Sequence, residues 1–189
     1  MSTVATPVEA LRPGRSGVRN ERGMAEEPVH ITTLRFGGLT VLPRQVITLP
    51  KGLLGFESGR RYVILDTPDS EPFRWFQSLD DSTLAFVIVN PLFFFPDYHI
   101  DVDRRELDEL EIADAAAVVT YVICSVPGGD LSQISANLQG PIVLNTTNNL
   151  AKQLVLSNGP YTTRHLILEQ SARAASGTPR NPESRTPAG

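Results

Sequence analysis

Residues 71–91, EPFRWFQSLDDSTLAFVIVNP, leave the backbone few choices. The run holds the only tryptophan of the chain and its densest aromatic and β-branched sequence, residue types that fit a pleated surface better than a helix. It predicts a β-hairpin. Strand side chains alternate faces, so Phe73, Trp75 and Gln77 would point one way and Arg74, Phe76 and Ser78 the other, which makes the first arm apolar on both sides. Asp80-Asp81-Ser82 is a polar turn cluster, and residues 84–89 (LAFVIV) form an apolar run of the length of a buried strand. Pro91 has no N–H to give to a ladder and ends the run. Trp75 is expected in the core with most of its neighbours. Arg74, Phe76 and the Asp80–Asp81 tip are the candidates for an aromatic and charged patch at a sheet edge.

The alternation of short apolar runs with turn residues continues on both sides. Residues 30–36 and 39–41 read as strands about Gly37-Gly38, where glycine reaches positive φ without penalty, and residues 45–49 as a third strand. In residues 50–57 (PKGLLGFE) a proline and two glycines bracket apolar side chains, a loop whose shape would be held by its own buried residues. Residues 62–65 are a strand and 66–72 a polar, turn-rich connection. Residues 92–96 (LFFFP) place four large apolar side chains in a loop, either as a partner-contacting patch or as a plug for the end of a barrel. Residues 98–102 are strand-like, and Asp103 with Glu106 three residues on forms a capping-box start for a short helix with Leu107 and Leu110 on one face. Residues 115–126 read as a long strand, 134–139 and 142–145 as strands separated at Gly140-Pro141, and 150–156 and 161–168 as the closing strands. About ten short strands at hairpin spacing with one short helix predict an all-β, mainly antiparallel single domain, a small barrel or sandwich.

A chain of 189 residues, 41% of them hydrophobic, suits one core. Residues 1–28 and 170–189 contain few large apolar side chains to offset the entropy of ordering, so a disordered leader and tail are expected around a folded unit over residues 29–169. The whole chain has 17 basic and 21 acidic residues, net −4; the leader takes four Arg and four Glu and the tail three Arg and one Glu, which leaves 10 basic and 16 acidic in the folded unit, net −6. That balance argues against direct nucleic-acid binding, where phosphates demand clustered Lys and Arg. It suits a basic protein partner, or ordinary solubility charge. Cys124 is the only cysteine, so no intramolecular disulfide can form and a reducing, cytoplasmic setting is expected. No apolar run reaches the length of a membrane span and the N-terminus lacks a signal-like apolar core, so no membrane association is expected. Met24, behind the arginine-dotted leader, is an alternative start to Met1.

Catalytic patterns are missing. There is no G-x-S-x-G, H-E-x-x-H or kinase-like run. Cys124 lies in an apolar strand, and His30, His99 and His165 lack metal-ligand spacing. Asp80 and Asp81 are adjacent turn carboxylates of the kind that bond to backbone. Gly52-Leu53-Leu54-Gly55 has no following Gly-Lys-Ser/Thr and precedes a strand rather than a helix. The expectation is a protein that is not an enzyme and carries no cofactor or metal.

Seven segments, taken in order, resemble the flagellar assembly factor FliW family: GLLGFE at 52–57, PFRWFQSLDD at 72–81, LAFVIVNP at 84–91, PDYHIDV at 96–102, NLQGPIVLN at 137–145, AKQLVL at 151–156 and YTTRHLIL at 161–168. The two tails lie outside the match. The resemblance implies a small β-rich cytoplasmic protein of flagellated bacteria that binds flagellin and the RNA-binding translational repressor CsrA, relieving repression when secretion of flagellin frees it. An acidic partner docked beside a basic RNA-binding face would gain attraction and repel phosphates. Candidate acidic contacts are Asp80, Asp81, Asp97, Asp101, Glu106 and Glu109, with charge reversal at Asp101, Glu106 and Glu109 expected to weaken repressor binding in a salt-sensitive way. Phe56 and Glu57 of GLLGFE, Phe76 and Phe94 complete the candidate patch. Asn137 and Asn145 flank the Gly140-Pro141 break, either to tie down turn backbone or to meet a partner strand. Addition of a flagellin segment to an open sheet edge is one route for that partner. A small-ligand-binding β-barrel is the competing class, and it requires a deep apolar pocket with convergent polar groups.

Overall fold

Strict alternation of side chains decides this architecture, because one row of each strand fills a barrel and the other meets an outer layer. The computed structural model describes residues 27–168 apart from 69 and 158; all of the expected leader but its last two residues, and the whole tail, lie outside the described residues. Among the described residues the strands are β1 (Val29–Thr33), β2 (Gly37–Val41), β3 (Ile47–Thr48), β4 (Arg61–Leu65), β5 (Arg74–Ser78), β6 (Ala85–Val89), β7 (Val118–Ser125), β8 (Ser135–Ala136), β9 (Ile142–Asn145), β10 (Leu150–Gln153) and β11 (His165–Leu166), and the helix between β6 and β7 is α1 (Arg104–Glu109). Strands β7, β6, β5, β4, β3, β10 and β9 follow one another, and β9 returns to β7, so seven strands close a barrel. All of these pairings are antiparallel except the short β3–β10 contact. Closure removes the edges of those seven strands. Among the described residues, open edges stay on β11, which extends the sheet through β8, and on the separate β1–β2 hairpin.

Phe76 shows how register builds the interior. It pairs with Ile64 on one side and Phe86 on the other, and its ring stacks on Tyr62 at 4.5 Å. With Ile47, Leu49, Leu53, Ile88, Tyr121, Ile142, Leu144 and Ala151 these side chains fill the barrel. The opposite row, Val87, Val89, Val122 and Cys124, is covered by Phe95, Tyr98, Ile134, Leu138 and Ile167. A third cluster joins the β1–β2 hairpin to Val63 and Leu79, and a fourth seats Leu110 against Val143 and Leu154.

Several expectations are corrected. Phe76, a candidate contact residue, is only 2% exposed and belongs to the barrel interior. Trp75, expected in the core, is half-buried on the outside, with the Arg35 guanidinium 4.2 Å over its ring and Phe36 edge-on at 5.7 Å. The β5 row that faces inward is therefore that of Arg74 and Phe76. The first hairpin turns at Leu34, Arg35 and Phe36, not at Gly37-Gly38; Thr33 and Gly37 are paired, and Gly37 takes φ +67 as the closing residue. The Thr33 hydroxyl accepts from the Phe36 N–H at 3.0 Å, which fixes that turn. Residues 98–102 form no strand. They cross the outer face, where the Tyr98 hydroxyl donates to the Leu138 carbonyl at 2.9 Å and the His99 N–H to the Tyr161 hydroxyl at 3.2 Å, side-chain bonds in place of a ladder. The expected capping box is absent: Asp103 precedes α1 without a side-chain capping bond, and the Glu106 carboxylate is bonded to Lys152 instead of reaching back.

Candidate partner-binding surfaces

The GLLGFE loop closes one mouth of the barrel. Gly52 takes φ +69 and Gly55 φ +81, and a Cβ on Gly52 would lie 2.7 Å from the Glu57 Cα, so the chain turns tightly enough there to require glycine. Leu53 is driven inward at 1% exposed, while Leu54 and Phe56 face out at 57% and 42%. The expectation that this loop buries its own side chains thus holds for Leu53 alone. Phe56 lies edge-on to Phe86 at 5.1 Å. The Glu57 carboxylate accepts from the Gly55 N–H at 2.9 Å, which holds its pKa below the ordinary carboxylate value, and Gln153 Oε1 accepts from Leu54 N–H at 2.9 Å.

The opposite mouth is closed by polar groups. The Arg74 guanidinium donates through Nη2 to Asp66 Oδ2 at 2.8 Å and through Nη1 to the Tyr121 hydroxyl at 3.0 Å. The Asp66 bond keeps the guanidinium charged despite partial burial, and Arg74 in turn lowers the Asp66 pKa. Arg74 is therefore bound within the barrel rim.

Residues 97–114 concentrate the negative charge, with eight carboxylates against Arg104 and Arg105. Asp97, Asp101, Asp103 and Asp108 are exposed. Glu106 and Glu109 play another part. Lys152 of β10, its side chain 16% exposed, bonds to Glu106 and reaches Glu109 at 2.7 Å, and Lys51 reaches the same Glu109 oxygen at 2.9 Å. The bonds from Lys152 and Lys51 hold the Glu109 carboxyl down at about 2. This network fastens α1 to the barrel beside a cleft of about 300 Å³ with Pro50, Leu54, Leu110 and Ala151 in its wall.

The remaining candidates divide in the same way. Asp80 accepts from the N–H groups of Arg60 and Arg61 at 2.7 and 2.8 Å and from Arg61 Nε at 2.7 Å; burial raises its pKa, and these bonds outweigh that and lower it. Asp81 accepts from Thr83 N–H and hydroxyl at 2.9 and 2.7 Å. Both brace the β5–β6 turn. Asn137 Oδ1 accepts from Gly140 N–H at 2.9 Å. Asn145, 2% exposed, donates to the carbonyls of Leu110 and Glu111 at 3.0 and 3.1 Å and accepts from Thr147 N–H at 2.9 Å. Both asparagines thus bind turn backbone, the first of the two roles expected of them. In the LFFFP loop Phe95 is buried and Phe94 stacks half-buried on Phe73 at 5.6 Å, whereas Leu92 and Phe93 project at 53% and 67% exposed.

Sequence reasoning missed Leu54, Val155, Phe86, Ile123 and Arg164, which share a groove of about 510 Å³ with Phe56 and the amides of Asn137, Gln139 and Gln153 at the GLLGFE mouth. The available signal was the GLLGFE doublet itself, since adjacent leucines cannot both enter one core from a tight loop. Cys124 is buried and its thiol is pushed up to about 12, far from a thiolate. Among the described residues no group of three or more His, Cys, Asp or Glu could hold a metal ion, and no helix is long and apolar enough to cross a membrane.

The class so defined is a closed seven-stranded β-barrel with a short helix packed on it, an acidic flank and an exposed apolar rim. The pattern of the FliW protein family matches residues 30–167. The flagellar assembly factor FliW of Moorella thermoacetica is 36% identical over 143 residues, 76% of this chain and 90% of that protein. That of Geobacter sulfurreducens is 39% identical over 153 residues, covering 81% and 95%. A crystal structure of the flagellar assembly factor FliW superimposes with a TM-score of 0.69 at 33% identity, over 74% of this chain and 96% of that one. This chain belongs to the FliW family of flagellar assembly factors.

Proposed function

We propose that this protein acts in the cytoplasm, without catalysis, by exchanging two protein partners: flagellin and a CsrA-type RNA-binding translational repressor. The observation that carries this reading is the set of exposed carboxylates Asp97, Asp101, Asp103 and Asp108, which lie before and on the helix that Lys152 ties to the barrel through Glu106 and Glu109. A repressor that binds RNA must present a basic face. Docking an acidic surface beside it adds attraction and repels incoming phosphates. When flagellin is plentiful it occupies the factor, and the repressor is free to hold its message; when flagellin is exported, mass action returns the factor to the repressor. The small-ligand alternative loses ground, because the barrel interior is filled by Tyr62, Phe76, Ile88 and their neighbours.

The test set of substitutions follows from the ion pairs. Reversing Glu106 and Glu109 would detach α1, so Asp101→Lys, Asp103→Lys and Asp108→Lys are the informative changes. Together they should weaken repressor binding by about tenfold or more at low salt, with the deficit shrinking as salt screens the charges. Unchanged affinity at low salt would remove the electrostatic mechanism.

A further inference from the structure

The groove at the GLLGFE mouth has a chemistry different from the rest of the surface. Leu54, Phe56 and Val155 stand on its rim at 57%, 42% and 57% exposed, over a floor of half-buried Phe86 and Ile123. Among the described residues no carboxylate lines it, although the folded unit carries a net charge of −6. Its one charged side chain, Arg164, is exposed and makes no ion pair among the described residues. Contiguous exposed apolar surface of this kind, rimmed by polar groups, marks a protein contact.

The backbone around the groove tells which shape of partner fits. The Leu54 N–H is bonded to the Gln153 side chain, Phe56 N–H to Leu53 O, Asn137 N–H to Ile123 O, Gln139 N–H to Thr162 O and Leu156 N–H to Gln139 O. A peptide that adds as a strand needs free donors and acceptors on the receiving wall, and here these amides are already paired. A helix satisfies its own backbone and brings side chains only. We propose that this groove receives an amphipathic helix of a partner protein, one whose apolar stripe packs on Leu54, Phe56 and Val155 and which carries a carboxylate at the end that meets Arg164. The inference rests on the reading that this protein works by binding other proteins. It gives that reading a second surface, opposite in character to the acidic one.

Amide NMR of the full chain, titrated with synthetic helical peptides of about 15 residues, tests it. One peptide has leucines at i, i+4, i+7 and i+11 with glutamates at its ends, a second has the same stripe with lysines at its ends, and a third has the leucines scrambled. The acid-ended peptide should shift the amides of Leu54, Phe56, Ile123, Val155 and Arg164. The lysine-ended peptide should bind several-fold more weakly, the scrambled one should leave the groove unshifted, and Arg164→Glu should invert the preference between the two ends. Val155→Glu, on an exposed side chain, should weaken the acid-ended peptide by about tenfold or more while preserving the spectrum elsewhere. Absence of groove shifts with every peptide at millimolar concentration, or equal shifts with the scrambled one, overturns the proposal. Its fate is separable from that of the partner exchange: partner binding that survives Val155→Glu in a protein whose groove ignores the peptides sinks the groove alone. Groove shifts in a protein that binds neither flagellin nor the repressor sink the exchange alone.

Discussion

Replacing Asn145 by alanine separates a structural asparagine from a contact asparagine. The side chain is 2% exposed and makes three hydrogen bonds, two as donor to the carbonyls of Leu110 and Glu111 just beyond α1 and one as acceptor from Thr147 N–H. Each intramolecular hydrogen bond is worth about 1 kcal/mol net, and a buried acceptor left without a partner costs about 1–3 kcal/mol. Thr147 and Glu111 are exposed, so water can serve their groups after truncation, whereas Leu110 sits 2% exposed. The Leu110 carbonyl, left with only a long bond from the Asn148 amide at 3.4 Å, and the two other lost bonds give an expected loss of about 2–4 kcal/mol. For a chain of this size that lowers Tm by about 5–15 °C. Urea and thermal unfolding followed by circular dichroism read the loss directly, and hydrogen exchange should place the earliest opening at α1. Partner affinity measured well below the melting range should be little changed. A variant as stable as the parent that no longer bound its partner would refute this reasoning and return Asn145 to the interface.

Other outcomes follow from single groups. Gly52→Ala forces a Cβ to 2.7 Å from the Glu57 Cα at a φ of +69, and should cost about 1–3 kcal/mol in urea unfolding; an unchanged midpoint would mean that the loop relaxes freely. Phe76→Ala empties the centre of the barrel and should cost about 3–5 kcal/mol, where a loss below about 1 kcal/mol would contradict its interior position. His165 accepts the Thr162 N–H through Nε2 at 2.9 Å, and burial lowers its pKa below the ordinary 6.5. The folded state therefore favours the neutral ring, so the stability this group lends is complete above pH 6.5 and fades as pH falls below it, with amide protection of β8 and β11 declining first. An NMR titration of the ring that gave a midpoint above 6.5 would contradict this.

The barrel was legible because its rule is local. Every barrel strand from β4 to β9 falls where an apolar run meets a turn, and the central hairpin, with its turn at Asp80–Asp81, needed nothing beyond alternation. Long-range bonds were not legible. Phe76 and Trp75 are adjacent aromatics on a strand apolar on both sides, and only closure of the barrel decides which of them is inside. The strand expected over residues 98–102 has the right composition, yet its neighbours across the outer face offer the hydroxyl of Tyr161 and the carbonyl of Leu138 instead of a ladder. Acidic residues looked alike in sequence. Asp80 turned out to be fixed by Arg60 and Arg61, Asp81 by Thr83, and Glu106 and Glu109 by a lysine more than forty residues away, which leaves Asp97 and Asp101 as the exposed acidic candidates whose carboxylates are bonded to no other side chain or backbone group among the described residues. The apolar groove was hidden for a related reason, since Val155, Ile123 and Leu54 come from three separate segments.

The central claim is partner exchange, and competition calorimetry tests it most directly. The full chain is titrated with the flagellin of its own source, with the CsrA-type repressor of that source, and with each after saturation by the other. The account predicts binding to both proteins when each is added alone, and displacement or marked weakening of one by the other. Binding to neither, or to both at once with undiminished affinity, would contradict it.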